Sequence, residues 1–73
     1  MRIWIAKDWY STMVFTTKPK LLPSYCSEEE KEWYGHRVHF LERFISKELY
    51  KEVKMNKCIE CELDVNIKTI KQL

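Results

Sequence analysis

Near the C-terminus, Ile59, Cys61, Leu63, Val65 and Ile67 alternate with Glu60, Glu62, Asp64, Asn66 and Lys68. A period of two marks a β-strand with one buried and one wet face. Such a strand needs neighbours to pair its backbone and a layer to cover its apolar side, and the rest of the chain must supply both.

The N-terminus offers the neighbours. Arg2-Ile3-Trp4-Ile5-Ala6-Lys7 is short, β-branched and aromatic, and Thr12-Met13-Val14-Phe15-Thr16-Thr17 repeats that character after Asp8-Trp9-Tyr10-Ser11. The pair predicts a β-hairpin. With residues 8 to 11 as the loop, Ala6 faces Met13, Ile5 faces Val14 and Trp4 faces Phe15. Both faces of the hairpin are then apolar. Pro19 ends the second strand because it has no amide proton to donate, and Pro23 predicts an irregular stretch after it.

Ser27-Glu28-Glu29-Glu30 has the spacing of a capping box, which predicts a short helix through about Trp33 with Gly35 as a left-handed C-terminal cap. Residues 37–45 fit two periods. Trp33, Phe40, Leu41, Phe44, Ile45 and Leu49 make a helical stripe, while Val38, Phe40 and Phe44 fit alternation. Ser46 is placed to cap a short helical turn over residues 47–51. The expected fold is one α+β domain over residues 1–73, with a small antiparallel sheet of three to four strands and one or two short helices. Ile3, Ile5 and Val14 share its buried face with Ile59, Cys61, Leu63 and Val65, and residues 37–45 add a strand or a covering helix.

Composition narrows the function classes. Three Trp, four Tyr and three Phe against a net charge of +2 describe a chain that folds. Its 73 residues leave room for one core only. Three cysteines, an odd number, and an early apolar run limited to residues 3–6 point to a reducing, cytoplasmic setting. No apolar run approaches the ~18 to 20 residues that cross a bilayer, so no membrane role is expected. Arg2, Lys7, Lys18 and Lys20 outweigh Asp8 in the first 27 residues, yet nothing forms a polybasic tract.

An ordered set of short motifs carries a resemblance. Arg2-Ile3-Trp4-Ile5-Ala6-Lys7-Asp8, the Phe15-x-x-Lys18-Pro19 ending, and Leu49-Tyr50-x-Glu52-Val53-Lys54-Met55 leading into Ile59-Glu60-Cys61-Glu62-Leu63 resemble small uncharacterised proteins encoded by phages and prophages of gut bacteria. This chain has Lys51 where that pattern carries proline and Met55 where it carries tryptophan. The resemblance implies a small sheet-based α+β protein from a mobile element. It favours a strand over residues 37–45 and implies no activity.

Cys26, His36, His39, Cys58 and Cys61 raise zinc or thiol chemistry, through a Cys-x-x-Cys and a His-x-x-His. In a strand, however, Cys58 and Cys61 point to opposite faces and cannot share a metal. Cys61 then belongs to the core and Cys58 points away from it. The acids from Glu28 to Glu32 suit the positive end of a helix. One glycine excludes a glycine-rich phosphate loop. We expect no catalytic residue, no metal and no cofactor.

The remaining signal is aromatic. Trp4, Met13 and Phe15 occupy the second face of the hairpin, with Trp9 and Tyr10 at its edge, and this set is the expected contact with a protein partner or a second copy of the chain. The same face is covered within the chain if Leu21, Leu22, Tyr25 and Trp33 fold back onto it. The alternative function is a small nucleic-acid-binding protein that uses Arg2, Trp4, Lys7, Trp9, Tyr10, Phe15 and Lys18 as a stacking platform. Glu60, Glu62 and Asp64 would repel phosphates if they shared that platform.

Overall fold

The computed structural model describes residues 1–26, 29–63 and 67–73. Its elements are β1 (Arg2–Lys7), β2 (Thr12–Phe15), β3 (Lys20–Pro23), β4 (Lys31–Tyr34), a 3-10 helix (His39–Phe44), α1 (Lys47–Glu52), β5 (Lys57–Leu63) and β6 (Ile67–Gln72). Four strands form one antiparallel sheet in the order β2-β1-β5-β6, and β3 pairs with β4 in a second. The domain is thus sheet-dominated, with six strands in two sheets among the described residues where three to four in one were expected.

The hairpin has the expected register, with Trp4 opposite Phe15, Ile5 opposite Val14 and Ala6 opposite Met13. β1 then pairs with β5, which sets Ile3 against Cys61 and Ile5 against Ile59. One sheet face accordingly carries Ile3, Ile5, Val14, Ile59 and Cys61 into the core. Leu41 and Leu49 come down on them from the two short helices and Ile45 and Val53 from the residues that end those helices, and Leu63 packs at the margin. Each such side chain contributes roughly 1.5 to 3 kcal/mol on burial.

Residues 37–45 are not a strand. The Leu41 and Ile45 side chains, four apart, reach the core from a 3-10 turn, and Phe40 and Phe44, which suggested alternation, are exposed. Only the entry to this segment pairs with the sheet: the Thr16 amide donates to the His36 carbonyl at 3.0 Å and Val38 donates to Val14 at 2.8 Å, covering the outer edge of β2. α1 follows as expected, with the Ser46 hydroxyl accepting from the Leu49 amide at 3.2 Å.

Three further expectations are corrected. The alternation over residues 59–68 is divided between β5 and β6, which pair with Leu63 opposite Ile67; period two alone does not separate one long strand from two arms of a hairpin. Val65 lies outside the described residues. The residues leading up to Pro23, expected to be irregular with the rest of the middle segment, are a strand, because proline is tolerated at the end of an edge strand, while residues 24–26 after it belong to no strand. The helix expected to run through Trp33 is replaced by β4, whose alternation turns Trp33 inward beside Phe15 and Met13. The Ser27 cap lies outside the described residues.

Gly35 has no left-handed backbone and caps no helix. It is small because the chain runs close over the sheet: a Cβ there would sit 3.0 Å from Phe15 Cδ1 and 3.3 Å from the Pro19 Cα. Gly35→Ala is expected to cost about 1 to 3 kcal/mol through overpacking, read as a lower midpoint in urea with an unchanged slope.

Candidate functional site

The site begins at Asp8, which is only 2% exposed. Its Oδ1 accepts the Tyr10 amide at 2.8 Å and the Ser11 amide at 3.0 Å, and its own amide donates to the Ser11 carbonyl at 3.0 Å. This Asx-type turn closes a hairpin loop that lacks glycine. The second oxygen, Oδ2, accepts the Trp33 amide at 3.1 Å, while the Trp33 indole donates to the Lys7 carbonyl at 3.0 Å. One side chain therefore shapes the loop and fastens β4 to the end of the hairpin. Trp33 is drawn inward, and Trp9, 67% exposed, is left outside with Tyr10.

Pairing in the small sheet sets Leu21 opposite Trp33 and Leu22 opposite Glu32. Leu22, Glu32 and Tyr34 thus alternate onto the face away from Trp33. The Tyr34 hydroxyl donates to Glu32 Oε2 at 3.0 Å. At the end of the same sheet the Tyr10 hydroxyl donates to Glu30 Oε2 at 3.0 Å, with Ser24 Oγ also 3.0 Å from it. Desolvation, followed by the bond to Glu32, raises the Tyr34 phenol above its ordinary pKa of 10.0. For Tyr10 the Ser24 bond acts downwards, but Glu30 and desolvation together carry the phenol above 10.0. Both rings are held neutral and fixed in direction. A shallow groove of about 260 Å³ runs between Leu22, Pro23, Ser24, Tyr25 and Tyr34, and Tyr25 is 96% exposed beside it.

The aromatic set expected to meet a partner is divided. Met13 and Phe15 are buried in a second cluster with Ala6 and Cys58, against which Trp4 and Trp33 pack. They are covered within the chain because β4 and Gly35 cross them, so the surface expected of Trp4, Trp9, Tyr10, Met13 and Phe15 contracts to Trp9 and Tyr10. Trp4 is half-buried, with its indole nitrogen lacking a partner among the described residues. Of the four residues expected to fold back, Trp33 does so and Leu21, opposite it, is half-buried, whereas Leu22 and Tyr25 stay exposed and join the site instead. The spacing of Glu30, Glu32 and Tyr34 by two was the available signal, hidden in a run of acids.

The basic hairpin is screened by acids. Arg2 Nη1 lies 3.1 Å from Glu60 and its Nε 4.0 Å from Glu62, and the terminal amine lies 2.9 Å from Glu62. β1–β5 pairing thus brings onto one platform the carboxylates that oppose phosphate there.

Cys61 lies in the main core and Cys58 in the second cluster, so the two thiols sit on opposite faces. Cys58 points away from the core as expected but is buried rather than wet. Burial pushes Cys58 up to about 12 and Cys61 up to about 11. His36 Nδ1 is hydrogen-bonded to Thr16 Oγ1 at 2.9 Å. Among the described residues no group of three or more His, Cys, Asp or Glu side chains is placed to hold a metal ion. Iodoacetamide at neutral pH is expected to label Cys26 alone in the folded protein and all three thiols after denaturation, as read by mass spectrometry. The raised thiols contribute stability that is complete below the ordinary value of 9.0 and lost as pH rises towards 11 to 12, because only the unfolded chain releases those protons in between.

No helix among the described residues is long and apolar enough to cross a membrane. No protein-family model, curated protein or solved structure matches the chain.

Proposed function

We propose that this chain is a non-enzymatic protein-interaction module of phage or prophage origin, acting in the cytoplasm through the aromatic surface of its hairpin loop and small sheet. One observation carries the reading. Asp8 locks the loop so that Trp9 and Tyr10 stand outside the core, and the Tyr10 hydroxyl ties that loop to Ser24 and Glu30, next to the fully open Tyr25. Rigid exposed aromatics lose little entropy on docking and supply the largest share of binding energy at protein interfaces. The phage origin rests on the hairpin and strand motifs that resemble such proteins.

The test is affinity capture from a nuclease-treated bacterial lysate, comparing the natural chain with a Trp9→Ala, Tyr25→Ala double variant by quantitative mass spectrometry. A captured protein, or a second copy of the chain, is expected to fall at least about tenfold in the variant, as loss of anchor residues does. Sedimentation over a dilution series identifies self-association. Salt-dependent oligonucleotide binding abolished by Lys7→Ala, with no ring-dependent protein capture, overturns the reading in favour of nucleic acid.

A further inference from the structure

We infer that the groove on the outer face of the β3–β4 sheet takes a proline-rich, extended peptide with an arginine or lysine at one end, an inference that rests on the interaction reading and names its ligand. The groove is open and shallow at about 260 Å³, which suits an extended chain laid across it better than a compact small molecule. Two aromatic residues, Tyr25 and Tyr34, line it together with Leu22, Pro23 and Ser24. Aromatic walls of this kind receive the flat faces of a polyproline helix, whose ligand is already ordered before it binds.

Backbone chemistry favours the same ligand. Pro23 removes an amide donor from β3, so that strand offers an interrupted ladder to an incoming strand. A polyproline segment needs no ladder. Recognition falls to side chains, and here they are fixed beforehand: Tyr34 by Glu32, and Tyr10 by Glu30 with Ser24.

Charge supplies the direction. Glu30 and Glu32 each accept one phenol hydrogen bond and meet no cation within an ion pair among the described residues. Lys20 stands opposite Tyr34, two register positions beyond the Leu22–Glu32 pair and on the same face. A basic ligand residue is therefore drawn to the Glu30–Glu32 end and repelled from the Lys20 end.

The experiment uses the full chain against an array of synthetic Pro-x-x-Pro peptides flanked by Arg, Gln or Glu, followed by fluorescence anisotropy on the best binders. Arg-flanked peptides are expected to bind most tightly and Glu-flanked ones least. Tyr25→Ala, at a site too exposed to affect folding, is expected to weaken them about tenfold. Glu32→Gln keeps an acceptor for Tyr34 and is expected to reduce the preference for Arg over Gln, and Glu30→Gln with Glu32→Gln to erase it, while the Gln-flanked affinity stays in place. Silence across the array, a preference for Glu flanks, or indifference to Tyr25→Ala overturns the inference. An array that is silent while ring-dependent capture persists removes this ligand class and leaves the interaction reading standing; loss of both removes both.

Discussion

Asp8→Ala is expected to lower the unfolding free energy by about 2 to 4 kcal/mol and to loosen the small sheet before the large one. Three backbone amides, those of Tyr10, Ser11 and Trp33, lose their acceptor together. The two in the loop are near water and recover part of the cost. The Trp33 amide lies between β4 and the hairpin, where an unpaired donor costs more. Asp8→Asn is the sharper probe. An amide keeps one oxygen for Tyr10 and Ser11 but turns an NH2 group towards the Trp33 N–H, donor against donor, so about half the loss is expected. Urea denaturation followed by circular dichroism gives the totals, and hydrogen exchange at the Trp33 amide and indole locates them. If Asp8→Asn matches the natural chain and Trp33 stays protected, the bond from Oδ2 does not fasten β4. Binding is coupled to this result, since Tyr10, Ser24 and Glu30 come together only while β4 is held against the loop.

What could be read before the structure was what local chemistry decides. The hairpin register followed from a four-residue loop between two β-branched stretches, and the Ser46 cap from a hydroxyl three residues before a free amide. The core alternation of Ile59, Cys61 and Leu63 needed only period two. The failures share a different cause, which is that distant partners settled them. Lys20–Pro23 became a strand because Lys31–Tyr34 lies beside it, and neither segment has a strand's composition once proline and glutamate are counted. Residues 37–45 fitted two periods, and the choice fell to Leu41 and Ile45 finding the sheet. Asp8 was legible only as the first residue of the hairpin loop; the partner that holds its second oxygen, Trp33, is 25 positions away. For the site, Trp9 and Tyr10 were legible as loop aromatics. Tyr25, Tyr34, Glu30 and Glu32 were not, since they come together only after the small sheet pairs.

Phe15→Ala is expected to abolish the folded state. The ring is 1% exposed, lies so near Gly35 that a Cβ there would meet it at 3.0 Å, and shares its cluster with Met13, Ala6 and Cys58. Emptying such a site costs about 3 to 5 kcal/mol, as much as a core of this size supplies in total, roughly 3 to 5 kcal/mol. No cooperative urea transition should remain by circular dichroism. Phe15→Leu keeps most of the volume and is expected to lose only about 1 to 2 kcal/mol and to stay folded. Trp9→Ala, in the exposed loop, should stay within about 0.5 kcal/mol of the natural chain. This contrast decides how binding losses are interpreted, because both residues belong to the aromatic set that the hairpin alone would assign to a partner. A Phe15→Ala chain that captures nothing has lost its fold, whereas a Trp9→Ala chain that captures nothing has lost a contact. Phe15→Leu completes the comparison: with the fold kept and the ring gone, capture should be unimpaired. If Phe15→Leu is as stable as the natural chain yet loses its partner, the ring faces that partner and the covering of β2 by β4 and Gly35 is wrong.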